Sequence, residues 1–458
     1  MPVTAPATYW AEYAWLGAGI GPAPDTAAAL ATGTARSVRI DVADGRIVAI
    51  APGAAATPDA IRLAGLTMPG LANAHSHAFH RALRGRTHKG RGTFWTWRER
   101  MYALASALDP DTYHALARAT FAEMAMSGIT CVGEFHYLHH APGGLAYADP
   151  NEMGHRLMAA AAEAGIRITL LDTLYLTSTV DGKPLEGPQL RFGDGDLDGW
   201  SARTSTLVPA DHARIGAAAH SIRAVPATDL PEFAARVADL PTHMHLSEQR
   251  AENEACLARY GRTPAQVLDD AGVLGPNTTA VHATHVSDED RTVLGDRRSA
   301  VCFCPTTERD LADGIGPARA LVDAGSPLCV GSDSHAVIDL FEEVRAVELN
   351  ERLRDEHRGH FEVAELIAAA SQAGHLALGW PDAGVLVPGA RADLVTVRLG
   401  TVRTAGYDDP APAVVFAATA SDVTDVVVDG RPIVQDGRHL LVPDVPTALT
   451  RAIAAVWQ

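Results

Sequence analysis

Apolar residues recur along this chain in two rhythms, and the rhythm changes twice. Near the N-terminus they fall in short runs over 9–16, 37–42 and 46–50, with Asp44-Gly45 joining the last two. Short runs of this kind suit half-buried strands, and an Asp-Gly junction favours a tight hairpin because both residues accept positive φ. The last part of the chain reads alike over 392–397, 425–430 and 432–434. Residues 1–66 and 385–458 are therefore expected to join as one small β-sandwich domain. Between them, brief apolar runs alternate with Ala- and Leu-rich stretches of helical period. Strands are expected over 66–74, 130–136, 167–174, 214–220, 242–245, 279–282, 300–304 and 328–331. Helices such as 110–127, 152–164, 263–270 and 317–324 separate most of them. This βα rhythm over residues 67–384 predicts an α/β fold, a (β/α)8 TIM-type barrel.

Barrels of this kind carry their chemistry at the C-terminal ends of the strands. His75, Tyr137, His220, His245, His282 and Asp333 all fall at or just beyond such ends. His75 and His77 close the first run, and residues i and i+2 of a strand share a face, so both can grip one ion. A lone histidine on a strand is more often a core residue, so the partners decide the matter. The fifth strand ends in Thr242-His-Met-His245-Leu-Ser-Glu248, the sixth in Val281-His282, and the eighth in Gly331-Ser-Asp333. Three neutral histidines and one carboxylate leave an open position for water, the pattern of a catalytic zinc site. His243 shares a face with His245, and spacing leaves both open as ligands. Glu248, just past the strand, favours His245.

Composition narrows the partners. The chain has 458 residues, 47% hydrophobic and 20% charged, with a net charge of −17. That balance argues against nucleic acid or an anionic membrane, but not against a small anionic substrate met by local arginines. The N-terminus carries no basic-then-apolar secretion signal, and no run approaches the roughly 18 apolar residues of a membrane span. Five cysteines, an odd number, read as reduced core thiols in a cytoplasmic protein. Residues 193–199 imitate the start of a calcium loop, but Ser205 stands where the bidentate Glu belongs, so a solvated acidic loop is expected.

These motifs resemble the amidohydrolase superfamily over nearly the whole chain, including Gly384-Val-Leu-Val-Pro-Gly389 and Asp393 at the return to the small domain. Within it, the chain is similar to the formimidoylglutamate deiminase family. That narrower likeness rests on His75-Ser-His-Ala-Phe79, Phe94-Trp-Thr-Trp-Arg98-Glu99, Glu134-Phe-His-Tyr137-Leu-His-His140 and Cys304-Pro-Thr-Thr-Glu308. The resemblance implies hydrolytic deimination of N-formimidoyl-L-glutamate in histidine degradation. It makes His75, His77, His245 and Asp333 the ligands of one divalent ion, zinc ahead of iron or manganese. Glu248 would shuttle protons, with Asp333 helping to deprotonate water, and His282 would orient or polarise the imine carbon. Arg98, Tyr137, His220 and Arg223 would hold the substrate's two carboxylates. Two-metal members bridge their ions with a strand-end lysine, whereas Lys89 and Lys183, the two lysines here, end no core strand. Position 80 is often Gln in those deiminases, and His80 departs from them near the formimino end. A homodimer is expected from the superfamily. Alternatives are a purine- or pyrimidine-type deaminase, an N-formimidoyl-L-aspartate deiminase, and a barrel without activity.

Overall fold

A computed structural model of the chain describes residues 6–17, 33–88 and 92–457. Lys89 and the first five residues lie outside this range. Eight parallel strands form one sheet in strict sequence order: Leu71–Ser76, Ile129–His136, Arg167–Leu174, Ala213–Ala219, Thr242–Leu246, Thr278–His282, Ala300–Phe303 and Leu328–Val330. The last meets the first through a parallel bridge between Ser76 and Asp333. There the Asp333 N–H donates to the His75 carbonyl at 3.0 Å, and the His77 N–H donates to the Asp333 carbonyl at 3.3 Å. The expected (β/α)8 barrel is thus closed by the backbone of the very residues expected to carry its chemistry.

A second eight-stranded sheet takes four strands from each chain end and is antiparallel except where Ala7–Trp15 meets Ile61–Pro69. Asp44 and Gly45 turn its first hairpin with φ of 51° and 74°. Ile47 and Val427, on strands far apart in sheet order, share one apolar cluster with Tyr9, Ile40 and Leu394, so the sheet curls over its own core. Its other apolar residues, among them Leu66, Met68 and Val395, join the core of the barrel.

Two expectations need correction. The run 66–74 is not one strand. It divides at Gly70 between Ile61–Pro69 of the end sheet and Leu71–Ser76 of the barrel. A Cβ at Gly70 would meet Thr130 Oγ1 at 2.4 Å and Asp393 Cβ at 2.8 Å, so only glycine passes between the sheets there. Residues 193–199 are not simply a solvated acidic loop: Asp196 caps the helix Leu197–Thr204, and Asp194 is paired with Arg203 and His140. The helix Phe94–Ala107, which carries the Phe94–Glu99 motif, interleaves buried Phe94 and Met101 with half-buried Trp97, Arg98 and Tyr102. Lys183 lies in the connection between the third and fourth strands, and all five cysteines are free and buried. Among the described residues, no helix is long and apolar enough to cross a membrane.

Candidate active site

At the C-terminal mouth of the barrel, four donor atoms converge. His245 Nε2 lies 3.2 Å from His75 Nε2, and Asp333 Oδ1 lies 3.5 Å from His75 Nε2 and 3.4 Å from His77 Nε2. Backbone carbonyls set the tautomers: His77 Nδ1 bonds the Phe135 carbonyl at 2.9 Å, and His245 Nδ1 bonds that of His220 at 2.9 Å. With Nδ1 carrying the proton, each Nε2 presents a lone pair to the common centre. Burial pushes the His75 imidazole down to about 3, against the pull of Asp333, and lowers His77 and His245 as well. The Asp333 carboxyl is held far below the carboxylate range: burial opposes ionisation, but His75, His282 and His77 outweigh it. Lone pairs from three uncharged rings and one carboxylate, packed this closely, repel unless a cation lies among them. Donors of a tetrahedral zinc site with bonds of 2.0–2.1 Å stand about 3.3 Å apart, so the residues fit such an ion. His243, two residues before His245 on the same face, sits deeper in the barrel and bonds the Ala377 carbonyl at 3.1 Å, outside the cluster.

Titratable groups ring this cluster. Burial raises the Glu248 carboxyl, with His282 and Arg223 opposing it. His282 Nε2 is 3.7 Å from Asp333 Oδ2, and its Nδ1 is 3.4 Å from Glu308 Oε1. Burial would lower this imidazole, but Glu248, Glu308 and Asp333 together push it up to about 10. Glu308, in the Cys304–Glu308 motif, also accepts the Cys304 backbone N–H at 2.8 Å. The motif alone gives Glu308 no task, and Glu134 is silent in the sequence in the same way. It accepts Ser76 Oγ and the Ala78 N–H, both at 2.6 Å, bracing the turn that carries His77, and burial pushes its carboxyl up to about 8.

One cleft joins the donor cluster to a group of cations and hydroxyls. His77, His80, Arg98, Tyr137, His220, Arg223, His245, Glu248, His282 and Asp333 all line it, with Tyr102 and Tyr175. Apart from His243, every candidate site side chain named from the sequence is thus on this cleft or, for His75, beside its donor cluster. Arg98 lies over the faces of Trp95 and Tyr102, at 4.5 and 5.5 Å, with no carboxylate partner among the described residues. Arg223 is compensated: Nη1 is 2.9 Å from Glu252 Oε2, and Nη2 is 4.0 Å from Glu248 Oε2. Glu252 was invisible in the sequence because it lies on the helix Arg250–Tyr260, after the fifth strand, and reaches back, also accepting the Ser247 N–H at 3.0 Å. His80 Nε2 and Tyr137 Oη pair at 3.0 Å, so the unexpected histidine binds to one of the expected carboxylate holders. A larger hollow of about 720 Å3 lies elsewhere, lined by Arg81, Arg86, Glu123 and Leu449. It has no histidine, and Glu123 is already paired with Arg81 and Arg84. The buried trio His136, His139 and Asp172 is spoken for too, because Arg203 and Trp200 take the Asp172 oxygens.

A barrel closed over three histidines and an aspartate is the architecture of a metal-type hydrolase, and the amidohydrolase family's sequence profile matches residues 66–433. The chain belongs to the amidohydrolase family. Residues 26–62 match a narrower description, "Formimidoylglutamate deiminase HutF, N-terminal domain". The formimidoylglutamate deiminase of Pseudomonas aeruginosa is 38% identical over 429 residues, covering 90% of this chain and 94% of that protein. Among solved structures, an amidohydrolase from Brucella melitensis is 32% identical and superposes with a TM-score of 0.86, covering 99% of this chain and 100% of that one. An adenosine deaminase from Xanthomonas campestris, solved with bound zinc, shares the fold at 23% identity and a TM-score of 0.82 over 98% of this chain and 97% of its own.

Proposed function

We propose that this protein hydrolyses N-formimidoyl-L-glutamate to N-formyl-L-glutamate and ammonia, a step of histidine degradation. The observation that carries this reading is the union, in one cleft, of a metal-type donor set with two guanidiniums and several hydroxyls. An amidine carbon needs the first, and a dicarboxylate needs the second. The amidohydrolase family is metal-dependent, and one divalent ion, zinc, held by His75, His77, His245 and Asp333 belongs to the same proposal. When bound, such an ion supplies Lewis acidity and lowers the pKa of water, giving a nucleophile near neutral pH.

The chain's own groups move the protons. Glu248, its carboxyl raised by burial, and Asp333 take the proton from the attacking water as its oxygen bonds to the formimino carbon. The C=N electron pair moves to the terminal nitrogen, which takes that proton from Glu248. His282, aimed by Glu308, stabilises the tetrahedral adduct. As the carbonyl forms, the adduct's hydroxyl proton passes through Glu248 to the terminal amino group, the C–N bond breaks, and ammonia leaves. Arg98, Tyr137, His220 and Arg223 orient the two carboxylates throughout, and His80 acts through the Tyr137 hydroxyl. A cytoplasmic homodimer completes the reading.

Ammonia release from N-formimidoyl-L-glutamate, N-formimidoyl-L-aspartate, guanine and cytosine tests it. The glutamate derivative should be turned over fastest. Preference for either base would replace this reading with that of a nucleobase deaminase, and preference for the aspartate derivative would change the substrate but keep the chemistry.

A further inference from the structure

Behind the wall of the cleft, one amide determines which way two hydroxyl protons point. Gln189 is buried in the turn Gly187–Arg191. Its Oε1 faces the backbone N–H of Glu186 at 3.4 Å. A backbone N–H can only donate, so the atom facing it must be the oxygen. The amide nitrogen therefore faces Tyr102 Oη at 3.1 Å and Tyr175 Oη at 3.4 Å. Its two N–H groups donate, one to each tyrosine. Each tyrosine oxygen is then an acceptor towards Gln189, and its own O–H is left to donate elsewhere. Among the described residues, neither hydroxyl donates to a protein acceptor.

The amide has little freedom to turn away. Arg191, two residues on, donates to the carbonyls of His140, Ala105 and Leu108, while its own carbonyl accepts the N–H groups of His139 and His140 at 3.0 Å each. Phe192 packs on the rings of Tyr102, Tyr137 and Tyr175, with centroids 5.0–6.2 Å away. The two tyrosines line the cleft together with Arg98 and Arg223. O–H donors beside guanidiniums suit a carboxylate, whose oxygens only accept, and repel an amide or ring N–H, which brings a second donor.

We propose that Tyr102 and Tyr175 read a substrate carboxylate as O–H donors, and that Gln189, which does not line the cleft, is the positioning residue that holds them in that role. This rests on the reading of the cleft as an anionic-substrate site. Gln189→Met keeps the length of the side chain and removes its hydrogen bonds. It should raise KM for N-formimidoyl-L-glutamate about tenfold, with kcat changed less than about twofold. In calorimetry on the metal-loaded protein, the Kd of glutarate should rise by a similar factor. Gln189→Glu, whose carboxylate would turn both hydroxyls towards itself, should be worse than Gln189→Met. Added to Tyr102→Phe/Tyr175→Phe, Gln189→Met should change neither constant further, because nothing remains for it to orient. An unchanged KM and Kd, or an equal loss in both backgrounds, overturns the proposal. If Gln189→Met fails to fold, Tyr102→Phe and Tyr175→Phe alone carry the test, and unchanged glutarate affinity in both overturns it. A wild-type protein that binds glutarate with this tyrosine dependence but releases no ammonia overturns the proposed function and leaves this inference standing.

Discussion

The two ends of the cleft are built by different means. At the metal-donor end, His75, His245, His282 and Asp333 sit on or directly after barrel strands, and carbonyls or carboxylates fix most of the rings. His282 and Asp333 take positive φ, 70° and 41°, a conformation that persists only where surroundings over-determine it. At the other end, Arg98 and Tyr102 come from one helix, Tyr175 and Gln189 from the long connection after the third strand, and Arg223 from the turn after the fourth. Among the described residues, Arg98 is held by ring faces alone. The rigid end suits chemistry, in which a misplacement of an ångström is costly. The assembled end suits selection, and can change between relatives that share the barrel without disturbing the donors.

The comparison breaks most visibly at the rigid end. His245→Ala should abolish both bound metal and turnover, as metal analysis beside an ammonia assay would read; full activity without metal would end the account of that end. Glu248→Gln should lower kcat about a thousandfold with metal content unchanged. At the selective end, Arg98→Met should raise KM about a hundredfold and leave thermal stability alone. Arg223→Met should raise KM as well, and also cost about 3 kcal/mol of stability, because it strands the buried Glu252. Equal thermal shifts in the two variants would erase the distinction between a free and a compensated arginine. Glu308→Gln should lower kcat about tenfold with little change in KM, since it loosens His282 and not the anion.

A last prediction lies outside both ends and separates loss of fold from loss of site. Burial, with Arg167 next in effect, pushes the His375 imidazole from 6.5 down to about 4. The unfolded chain therefore binds a proton between those values that the folded chain refuses. The contribution is full above pH 6.5 and is lost as pH falls towards 4, to about 3 kcal/mol at most. Denaturant midpoints should fall across that window, and less steeply in His375→Gln.

The donor end was legible in the sequence because a strand fixes both spacing and direction: His75-Ser-His77 and His245-Leu-Ser-Glu248 state their geometry at sight. The boundary at Gly70 was not, because an apolar run says nothing about which sheet it joins. Tyr137 stood out as a strand-end residue, but its role, like those of Arg98 and Arg223, was reachable only through family likeness. Glu252, Tyr102, Tyr175 and Gln189 were reachable by neither route, since their meaning lies in contacts between segments tens of residues apart. His80 was visible as a departure, and its bond to Tyr137 now ties that departure to the anion end.

The central claim is that one cleft couples hydrolysis of an amidine to recognition of carboxylates. The most direct test is kcat/KM of the metal-loaded protein for N-formimidoyl-L-glutamate against its diamide, in which both carboxylates are neutral amides. The account predicts a loss of about a thousandfold or more for the diamide, carried mainly by KM. Equal values for the two compounds would contradict it.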